Sequence, residues 1–363
     1  MELSNRSVRS ATNDGGADEE GRVQKAQVSI YTKLARSGVG LIITGTTNVQ
    51  TSGQIIVNQK RITDDKHIEG LRKLTKTVHR EGGKIAIQLF HGGIYANSYA
   101  VGRGFKAVGP SFIDNDPNFP FNEVEYEEAD DERIQAISKA FAQGARRAIM
   151  SEFDAIQLHG AHGYLFSQFL SPYFNRRNDR WGGSLENRLR FHQSVYQEIR
   201  RQVGPDYPIM IKLGVKDFIP GGLKLEEGIA SAKKLSDWGF DAIEVSSGMP
   251  GQGYKETEYR TGINNVAQEA YHRNWSRKIR SEVKSPLILS GGLRTFDLME
   301  EILKQGDADL VAFSRPLIRE PHLIQRWRLG NRAPSACISC NQCLEALISE
   351  RMAFCQHLNE QCE

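Results

Sequence analysis

Short apolar runs alternate with amphipathic stretches along most of the chain. Apolar runs of this length are typical of buried parallel strands, and we place eight of them at residues 7–12, 40–45, 84–89, 154–158, 209–213, 242–245, 286–290 and 310–313. Apolar positions at helical spacing follow the runs, for example over residues 24–35, 67–79, 134–150, 185–202, 226–238 and 295–304. Eight strand–helix units predict an α/β protein whose strands close into a (β/α)8 TIM barrel.

The length and composition suit one large domain. The chain has 363 residues, of which 39% are hydrophobic, and barrels of this length are commonly single domains. No G-x-G-x-x-G follows the first predicted strand, so a classical dinucleotide-binding sheet is not expected. We place the barrel at residues 1–330. Residues 94–130 are rich in Gly, Pro, Asn and aromatic side chains, and a long insertion of this kind predicts a lid.

Charge and hydropathy exclude several classes of partner. The net charge is only +3 and no long basic run is present, so we expect no nucleic-acid partner. No apolar run approaches the roughly 18 residues of a membrane span, and the polar start does not resemble a signal peptide. We therefore expect a cytoplasmic protein with a small-molecule substrate. A homo-oligomer is compatible with the sequence.

The run HGAHGYL follows the predicted strand at residues 154–158 and carries the clearest catalytic chemistry. It places His159, His162 and Tyr164 at the carboxyl end of that strand, where barrel enzymes have their active sites. Two imidazoles can donate hydrogen bonds to an oxygen, and a phenol can supply a proton. This set predicts polarisation and protonation of a carbonyl-bearing substrate. A zinc site is the alternative, but no carboxylate or further His follows at ligand spacing.

The last two predicted strands carry a phosphate-binding pattern. The seventh ends in Ser290, Gly291 and Gly292, and the eighth ends in Ser314 and Arg315 before a proline suited to a first helical turn. Loops after these two strands, with a helix N-terminus, form the recurrent phosphate site of such barrels. Arginine can also bind phosphate in a bidentate manner. By this pattern alone, any phosphate-bearing ligand would fit.

Three further polar residues lie near predicted strand ends. Lys212 is the single cation in the apolar run IMIKLGV, so it needs either a buried carboxylate partner or a functional role. Gln88 could be a core amide whose hydrogen bonds are all made within the protein, or it could bind a ligand that both donates and accepts hydrogen bonds. Thr46 lies either in an ordinary turn or where a ring approaches the backbone closely.

The segment HGAHGYL…FLSPYFNRRNDRWGGSLENRLRF, residues 159–191, resembles the signature of the Old Yellow Enzyme family of FMN-dependent oxidoreductases. The resemblance implies an FMN-bearing barrel that takes hydride from NAD(P)H and commonly passes it to an activated alkene. It also implies that FMN phosphate occupies the predicted phosphate site. The resemblance further assigns flavin-ring contacts to Ala11, Thr12 or Asn13, Thr46, Gln88 and Lys212.

All five cysteines lie near the end of the chain, in a tail that we place at residues 331–363. Cys337, Cys340 and Cys343 have C-x2-C-x2-C spacing, and Cys355 follows. Such clustering favours a metal or cluster site over a disulfide framework. The motif CISCNQC resembles the [4Fe-4S]-binding segment of larger relatives, the 2,4-dienoyl-CoA reductases and trimethylamine dehydrogenases. Structural zinc and free thiols are the alternatives.

The sequence as a whole predicts an FMN-dependent NAD(P)H oxidoreductase that reduces an enone-type alkene. His159 and His162 would bind the carbonyl oxygen of the substrate, and Tyr164 would protonate the α carbon. One alternative is a flavin and iron–sulfur electron-relay protein that acts with a separate electron-donor protein. Another is a barrel lyase or hydrolase that uses a phosphorylated substrate.

Overall fold

A computed structural model describes residues 1–96, 104–113, 125–249, 259–349 and 352–357 of the chain. Its strands are Ser7–Arg9 (β1), Leu41–Ile43 (β2), Thr47–Asn48 (β3), Lys60–Arg61 (β4), Ile85–Phe90 (β5), Ala107–Gly109 (β6), Tyr126–Glu128 (β7), Ala155–Gly160 (β8), Ile209–Gly214 (β9), Ala242–Ser246 (β10), Leu287–Leu289 (β11) and Leu310–Phe313 (β12). Eight of them pair in parallel in the order β2-β1-β12-β11-β10-β9-β8-β5. A further pairing of β2 with β5 closes the sheet into a barrel.

Helices cover the outside of the barrel. They are Lys25–Ser37 (α1), Ile68–Arg80 (α2), Asp131–Met150 (α3), Leu165–Leu170 (α4), Leu185–Val203 (α5), Leu225–Trp238 (α6), Arg273–Arg280 (α7), Phe296–Lys304 (α8), Arg315–Arg319 (α9), Leu323–Arg328 (α10) and Gln342–Ile348 (α11). Their apolar faces and the outward faces of the strands form one continuous hydrophobic core. No helix in these described ranges is both long and apolar enough to cross a membrane.

The predicted (β/α)8 TIM barrel is confirmed. Each of the eight predicted strands overlaps a barrel strand, and each of the six predicted helices overlaps an observed helix. Helix α7 was not predicted, because its sequence RNWSRKIR buries only Ser276 and Ile279 and so shows little apolar periodicity.

The inside of the barrel changes from apolar to polar along the strands. Near the amino ends of the strands, aliphatic side chains fill the interior as one cluster made of Val8, Leu41, Ile43, Ala86, Ala155, Met210, Ala242, Ile288 and Ala312. Residues two positions further along a strand face the same way. On six strands these next inward positions, on the strand or one residue past its end, are the buried polar residues Ser10, Gln88, Gln157, Lys212, Glu244 and Ser290. A polar layer therefore lies above the apolar one, at the carboxyl end of the barrel.

The predicted lid at residues 94–130 falls only partly within the described residues. The described parts include a short 3-10 helix, Gly93–Ala96, and the parallel two-stranded sheet of β6 and β7. Three of its aromatic residues, Tyr99, Phe119 and Phe121, lie outside the described residues. Tyr95, at its start, places its ring 5.5 Å from that of Tyr164. The lid itself stays a prediction.

Candidate active site

A cavity of about 320 Å³ opens above the polar layer, at the carboxyl ends of the strands. This is the end at which barrel enzymes carry out their chemistry. Every residue predicted for catalysis or flavin binding lines it, namely Ala11, Thr12, Asn13, Thr46, Gln88, His159, His162, Tyr164, Lys212, Gly291, Gly292, Ser314 and Arg315. The closure of the barrel thus brings together side chains that lie far apart in the sequence.

The two histidines and the tyrosine form one wall of the cavity. The His159 ring centroid lies 4.9 Å from that of His162 and 5.0 Å from that of Tyr164, both in edge-on arrangements. His162 has a positive φ of 64°, which turns the chain sharply after β8 and returns its side chain toward the cavity. Its Nε2 atom lies 2.8 Å from the hydroxyl of Ser246. The backbone N–H of Ala161 donates to Nδ1 of His159, which places the His159 proton on Nε2.

The surroundings of both histidines favour the neutral form. Burial lowers the pKa of His159 well below its ordinary value, and the nearby cation Lys212 lowers it further. Burial also lowers the pKa of His162, with further contributions from His159, Lys212 and His272. Neutral imidazoles donate hydrogen bonds without carrying charge, so this wall can bind and polarise a neutral carbonyl oxygen.

Lys212 has the carboxylate partner that a buried lysine requires. Its Nζ lies 2.9 Å from Oε1 of Glu244, and the Glu244 side chain is fully buried. Lys212 nevertheless lines the cavity, so pairing and a role toward a ligand are compatible. Gln88 donates from Nε2 to Oε1 of Gln157 at 2.7 Å. Its own Oε1 accepts no hydrogen bond from a described residue, which leaves an acceptor for a ligand.

The predicted phosphate end has a glycine cradle. Gly291 and Gly292 have φ values of 127° and 72°, a region that favours glycine. A Cβ at Gly292 would also lie 3.0 Å from the ring of Tyr271. Arg315 donates from Nη1 to the carbonyl of Arg260 at 2.8 Å and to Oδ1 of Asn341 at 2.6 Å. Because both bonds use Nη1, the Nη2 and Nε atoms of Arg315 stay available to an anion among the described contacts.

The first-strand residues and Thr46 also line the cavity. The hydroxyl of Thr12 donates to the carbonyl of Ser10 at 3.0 Å and lies 2.6 Å from the hydroxyl of Ser314. Thr12 thereby links the loops after β1 and β12. Thr46 accepts a hydrogen bond from Gln59 at 2.9 Å. The glycine cradle and the donors and acceptors at the strand ends fit the phosphate and the pyrimidine ring of FMN.

The four predicted cysteines, Cys337, Cys340, Cys343 and Cys355, line a second cavity of about 200 Å³. Burial raises the pKa of the Cys337 and Cys343 thiols. Among the described residues, no three His, Cys, Asp or Glu groups converge on one point as they would around a single metal ion. A cubane cluster is larger than one ion, and a cavity walled by four thiols has the donor set that such a cluster uses.

The two cavities share a wall. Cys337 and Cys343 line both of them, as does Arg315. Asn341, between two of the cysteines, donates to the carbonyl of Tyr259 and accepts from Arg315. The cysteine tail is therefore part of the active-site wall and is not a separate appendage.

Sequence reasoning missed several polar residues of the site. Glu244 is the single charge in the apolar strand AIEVS, which is the same signal that identified Lys212. Gln157 is likewise the single amide in its strand. Ser246 and His272 also line the cavity, but they follow or lie outside the predicted strand and carry no distinguishing pattern.

Comparison with known proteins identifies the family. Residues 1–332 match the model of the NADH:flavin oxidoreductase / NADH oxidase family, so the chain belongs to that family. It is 34% identical over 337 residues to an NADH oxidase of Thermoanaerobacter brockii, and this match covers 90% of this chain and 49% of that protein. It is 35% identical over 309 residues to an NADPH dehydrogenase of Clostridium acetobutylicum, and this match covers 85% of this chain and 86% of that protein.

A solved structure with a similar fold is that of 2-naphthoyl-CoA reductase in complex with 2-naphthoyl-CoA. The TM-score is 0.87 at 25% identity, and the match covers 97% of this chain and 54% of that chain. The chain therefore spans about half the length of this reductase and of the NADH oxidase. The family expected from residues 159–191 is confirmed.

Proposed function

We propose that this chain is an FMN-dependent oxidoreductase that takes hydride from NAD(P)H and delivers it to the double bond of an enone-type substrate. The observation that carries the proposal is the convergence of all the predicted cofactor-binding and catalytic residues on one cavity, with the histidine pair and the tyrosine on its wall. When bound there, FMN would accept and donate the hydride.

The residues of this chain divide between the two ends of the cofactor. The loops after β11 and β12 would hold the phosphate through Gly291, Gly292, Ser314 and Arg315. The polar layer would meet the flavin ring through Gln88 and Lys212, and a cation near the ring favours its reduced, anionic form. The remaining ring contacts would come from Ala11, Thr12, Asn13 and Thr46.

The histidine pair would act on the substrate oxygen. A hydrogen bond from the Nε2–H of His159 to a carbonyl oxygen withdraws electron density from the conjugated double bond. His162 would assist from the adjacent position, since the two rings are 4.9 Å apart. Because burial lowers the pKa of both imidazoles, they would act as neutral donors throughout the physiological range. The β carbon would then accept hydride more readily.

Tyr164 would supply the proton that completes alkene reduction. Its ring packs edge-on against Phe90, with centroids 4.6 Å apart, and against His159. These contacts hold the phenol beside the oxygen-binding imidazoles. A phenol is a suitable acid for a developing carbanion, because it gives up its proton only when a strongly basic centre forms. The α carbon of the substrate would be that centre.

Two relatives support this assignment. The NADPH dehydrogenase that this chain resembles over 86% of its length matches the barrel without a long additional segment. The 2-naphthoyl-CoA reductase carries a ligand whose aromatic ring is conjugated to a thioester carbonyl. The name of the first fits nicotinamide as the electron donor, and the ligand of the second fits a carbonyl-conjugated double bond as the acceptor.

The test separates the two half-reactions in Tyr164→Phe. Stopped-flow absorbance would follow flavin reduction by NADPH or NADH, and then flavin reoxidation by 2-cyclohexen-1-one under anaerobic conditions. We expect reoxidation to slow by about 10²- to 10⁴-fold, the usual contribution of a general acid, while flavin reduction changes little. Equal loss in both half-reactions would contradict the role of Tyr164. A protein that binds no flavin would instead favour the lyase or hydrolase alternative.

We also propose that the cysteine cavity holds a [4Fe-4S] cluster. Its four thiols line one cavity, and two of them, Cys337 and Cys343, also line the active-site cavity. A redox centre in this position could pass electrons to or from the flavin, with a separate electron-donor protein on its other side. Anaerobic purification with an iron and sulfide assay tests this, and absence of iron after reconstitution would contradict it.

A further inference from the structure

A line of hydrogen bonds crosses the polar layer of the barrel and has Glu244 at its centre. One carboxylate oxygen of Glu244, Oε2, accepts from Nε2 of Gln157 at 2.8 Å, and Oε1 of Gln157 accepts from Gln88 at 2.7 Å. The other oxygen, Oε1, accepts from Nζ of Lys212 at 2.9 Å and from the hydroxyl of Ser10 at 2.6 Å. The backbone register supports the line, because Gln88 pairs with Gln157 and Lys212 pairs with Glu244.

The carboxylate fixes the direction of every bond on the amide side. A carboxylate only accepts hydrogen bonds, so Gln157 must turn its NH2 group toward Glu244 and its carbonyl toward Gln88. Gln88 must then turn its NH2 group toward Gln157. Its carbonyl oxygen is left facing the cavity as an acceptor, with no donor among the described residues. Without the carboxylate, either amide could rotate by 180° and present a donor in its place.

The same carboxylate also constrains Lys212. The ammonium group has three N–H donors, of which one is used by Glu244 and one by the hydroxyl of Ser10 at 2.9 Å. The third is left for the cavity that Lys212 lines. Because the negative charge of Glu244 is 2.9 Å away, the cation acts on a ligand with only part of its charge.

We propose that Glu244 is a positioning residue that sets the donor and acceptor pattern presented to the pyrimidine ring of FMN and that limits the charge of Lys212 there. The inference rests on the proposed function. The pyrimidine edge of a flavin offers carbonyl acceptors on either side of the N3–H donor. A lysine N–H beside an outward-facing amide carbonyl is complementary to one such acceptor and to that donor.

The first test measures the flavin midpoint potential in Glu244→Gln. The substitution keeps the shape of the side chain but removes the charge that offsets Lys212. We expect reduced FMN to gain about tenfold in affinity relative to oxidised FMN, which for two electrons is a positive shift of about 30 mV. The matched control is Glu227→Gln, which breaks the ion pair of Glu227 with Arg188 outside the cavity and should leave the potential unchanged.

The second test keeps the Lys212–Glu244 ion pair and breaks only the hydrogen bonds that link Glu244 to Gln88 through Gln157. Gln157→Met leaves Glu244 with Lys212 but removes the group that orients Gln88. With ¹⁵N-labelled FMN bound, we expect N3–H to exchange with solvent at least about tenfold faster than in the wild type, because its acceptor is no longer fixed. The midpoint potential should stay at the wild-type value. If Glu244→Gln does not fold, this variant decides the question.

Two results would overturn the inference. One is a midpoint potential in Glu244→Gln that equals the control value, and the other is an N3–H that stays protected in Gln157→Met. Failure of the proposed function is distinct, because it is measured on the wild type, which would then bind no FMN, or would bind FMN without passing hydride from NAD(P)H to an enone.

Discussion

His159 on β8 and Lys212 on β9 are register partners, so a neutral imidazole and a cation face the cavity side by side. The cation adds to burial in lowering the pKa of His159. Under the proposed function, this arrangement would supply an uncharged donor for the substrate next to a positive charge for the flavin. A protonated His159 would place two cations together in a buried site, which is electrostatically unfavourable.

We therefore predict that His159 and His162 stay neutral as the pH is lowered from 8 to 5.5. Both have a lowered pKa, with burial as the largest cause, so they should become protonated only at a pH below this range. Nitrogen-15 NMR of histidine-labelled protein distinguishes neutral tautomers from imidazolium, with free histidine as the reference. An imidazolium pattern from either residue at pH 6.5 would contradict neutral-donor catalysis.

Gly292→Ala should weaken FMN binding. A side chain at φ 72° is strained, and the new Cβ would meet the ring of Tyr271 at 3.0 Å in the predicted phosphate loop. Because the strained loop would shift away from the conformation that receives the phosphate, binding would have to restore that conformation at a cost of about 1–2 kcal/mol, which raises the dissociation constant for FMN roughly tenfold. Fluorescence titration with FMN measures this dissociation constant.

The matched control is Gly306→Ala, which has a similar φ of 71° but no neighbouring atom within 4 Å of the added Cβ. It lies outside the cavity, so it should lower the free energy of unfolding without changing the affinity for FMN. Equal FMN affinity in both variants would contradict the proposal that the loop at Gly292 binds the FMN phosphate.

Asp217 should make the protein less stable as the pH rises. Burial raises the pKa of Asp217 from 3.8 to about 6, even though Ser171 and the backbone N–H of Leu223 donate to it. The folded state therefore binds the proton more tightly than the unfolded state, and stability falls as the pH rises through this window. Relative to Asp217→Asn, the wild type should lose about 2 kcal/mol of unfolding free energy between pH 4 and pH 8.

Urea unfolding of both proteins across this range measures the difference. Asp307→Asn serves as a comparison in which the pH dependence of the free energy of unfolding should have the opposite sign. Burial alone would raise the pKa of Asp307, but hydrogen bonds from Arg277 and Arg273 lower it, so the stability that Asp307 contributes is lost as the pH falls. If the difference between wild type and Asp217→Asn is independent of pH, Asp217 does not titrate in this window.

Replacing Cys337 by Ser should abolish bound iron and also disturb the flavin. Cys337 lines both the cysteine cavity and the active-site cavity, so loss of a cluster there would alter a wall of the cavity proposed to hold FMN. Iron and sulfide assays and the flavin spectrum measure the two effects. Cys362→Ser is the control, since Cys362 is not among the four cysteines that line the second cavity and lies outside the described residues. Equal iron in both variants would argue against the four-cysteine site.

The sequence predicted the barrel well, because each strand is a compact apolar run followed by an amphipathic helix. It also predicted the site residues that stand at strand ends or break an apolar pattern, such as Lys212 and His159. Glu244 gives the same signal as Lys212 but was treated as an ordinary strand residue. Its meaning depends on β9 and β10 being neighbours in register, which is a property of the assembled sheet and not of the local sequence.

The contribution of the tail could not be predicted in the same way. Spacing grouped the cysteines, but nothing in the local sequence indicates that Asn341 binds Arg315 and the carbonyl of Tyr259. These contacts join the tail to the loops after β10 and β12, which come together only when β10, β11 and β12 have paired in the sheet. Residue patterns predict elements and strand ends, whereas shared walls between cavities follow from tertiary packing.

The most direct test of the central claim is an anaerobic absorbance spectrum of the purified protein after incubation with FMN and removal of free cofactor. We predict a flavin band that NADPH or NADH bleaches and that 2-cyclohexen-1-one restores. A protein that retains no flavin, or whose bound flavin neither nicotinamide reduces, would contradict the assignment of this chain as an FMN-dependent NAD(P)H oxidoreductase.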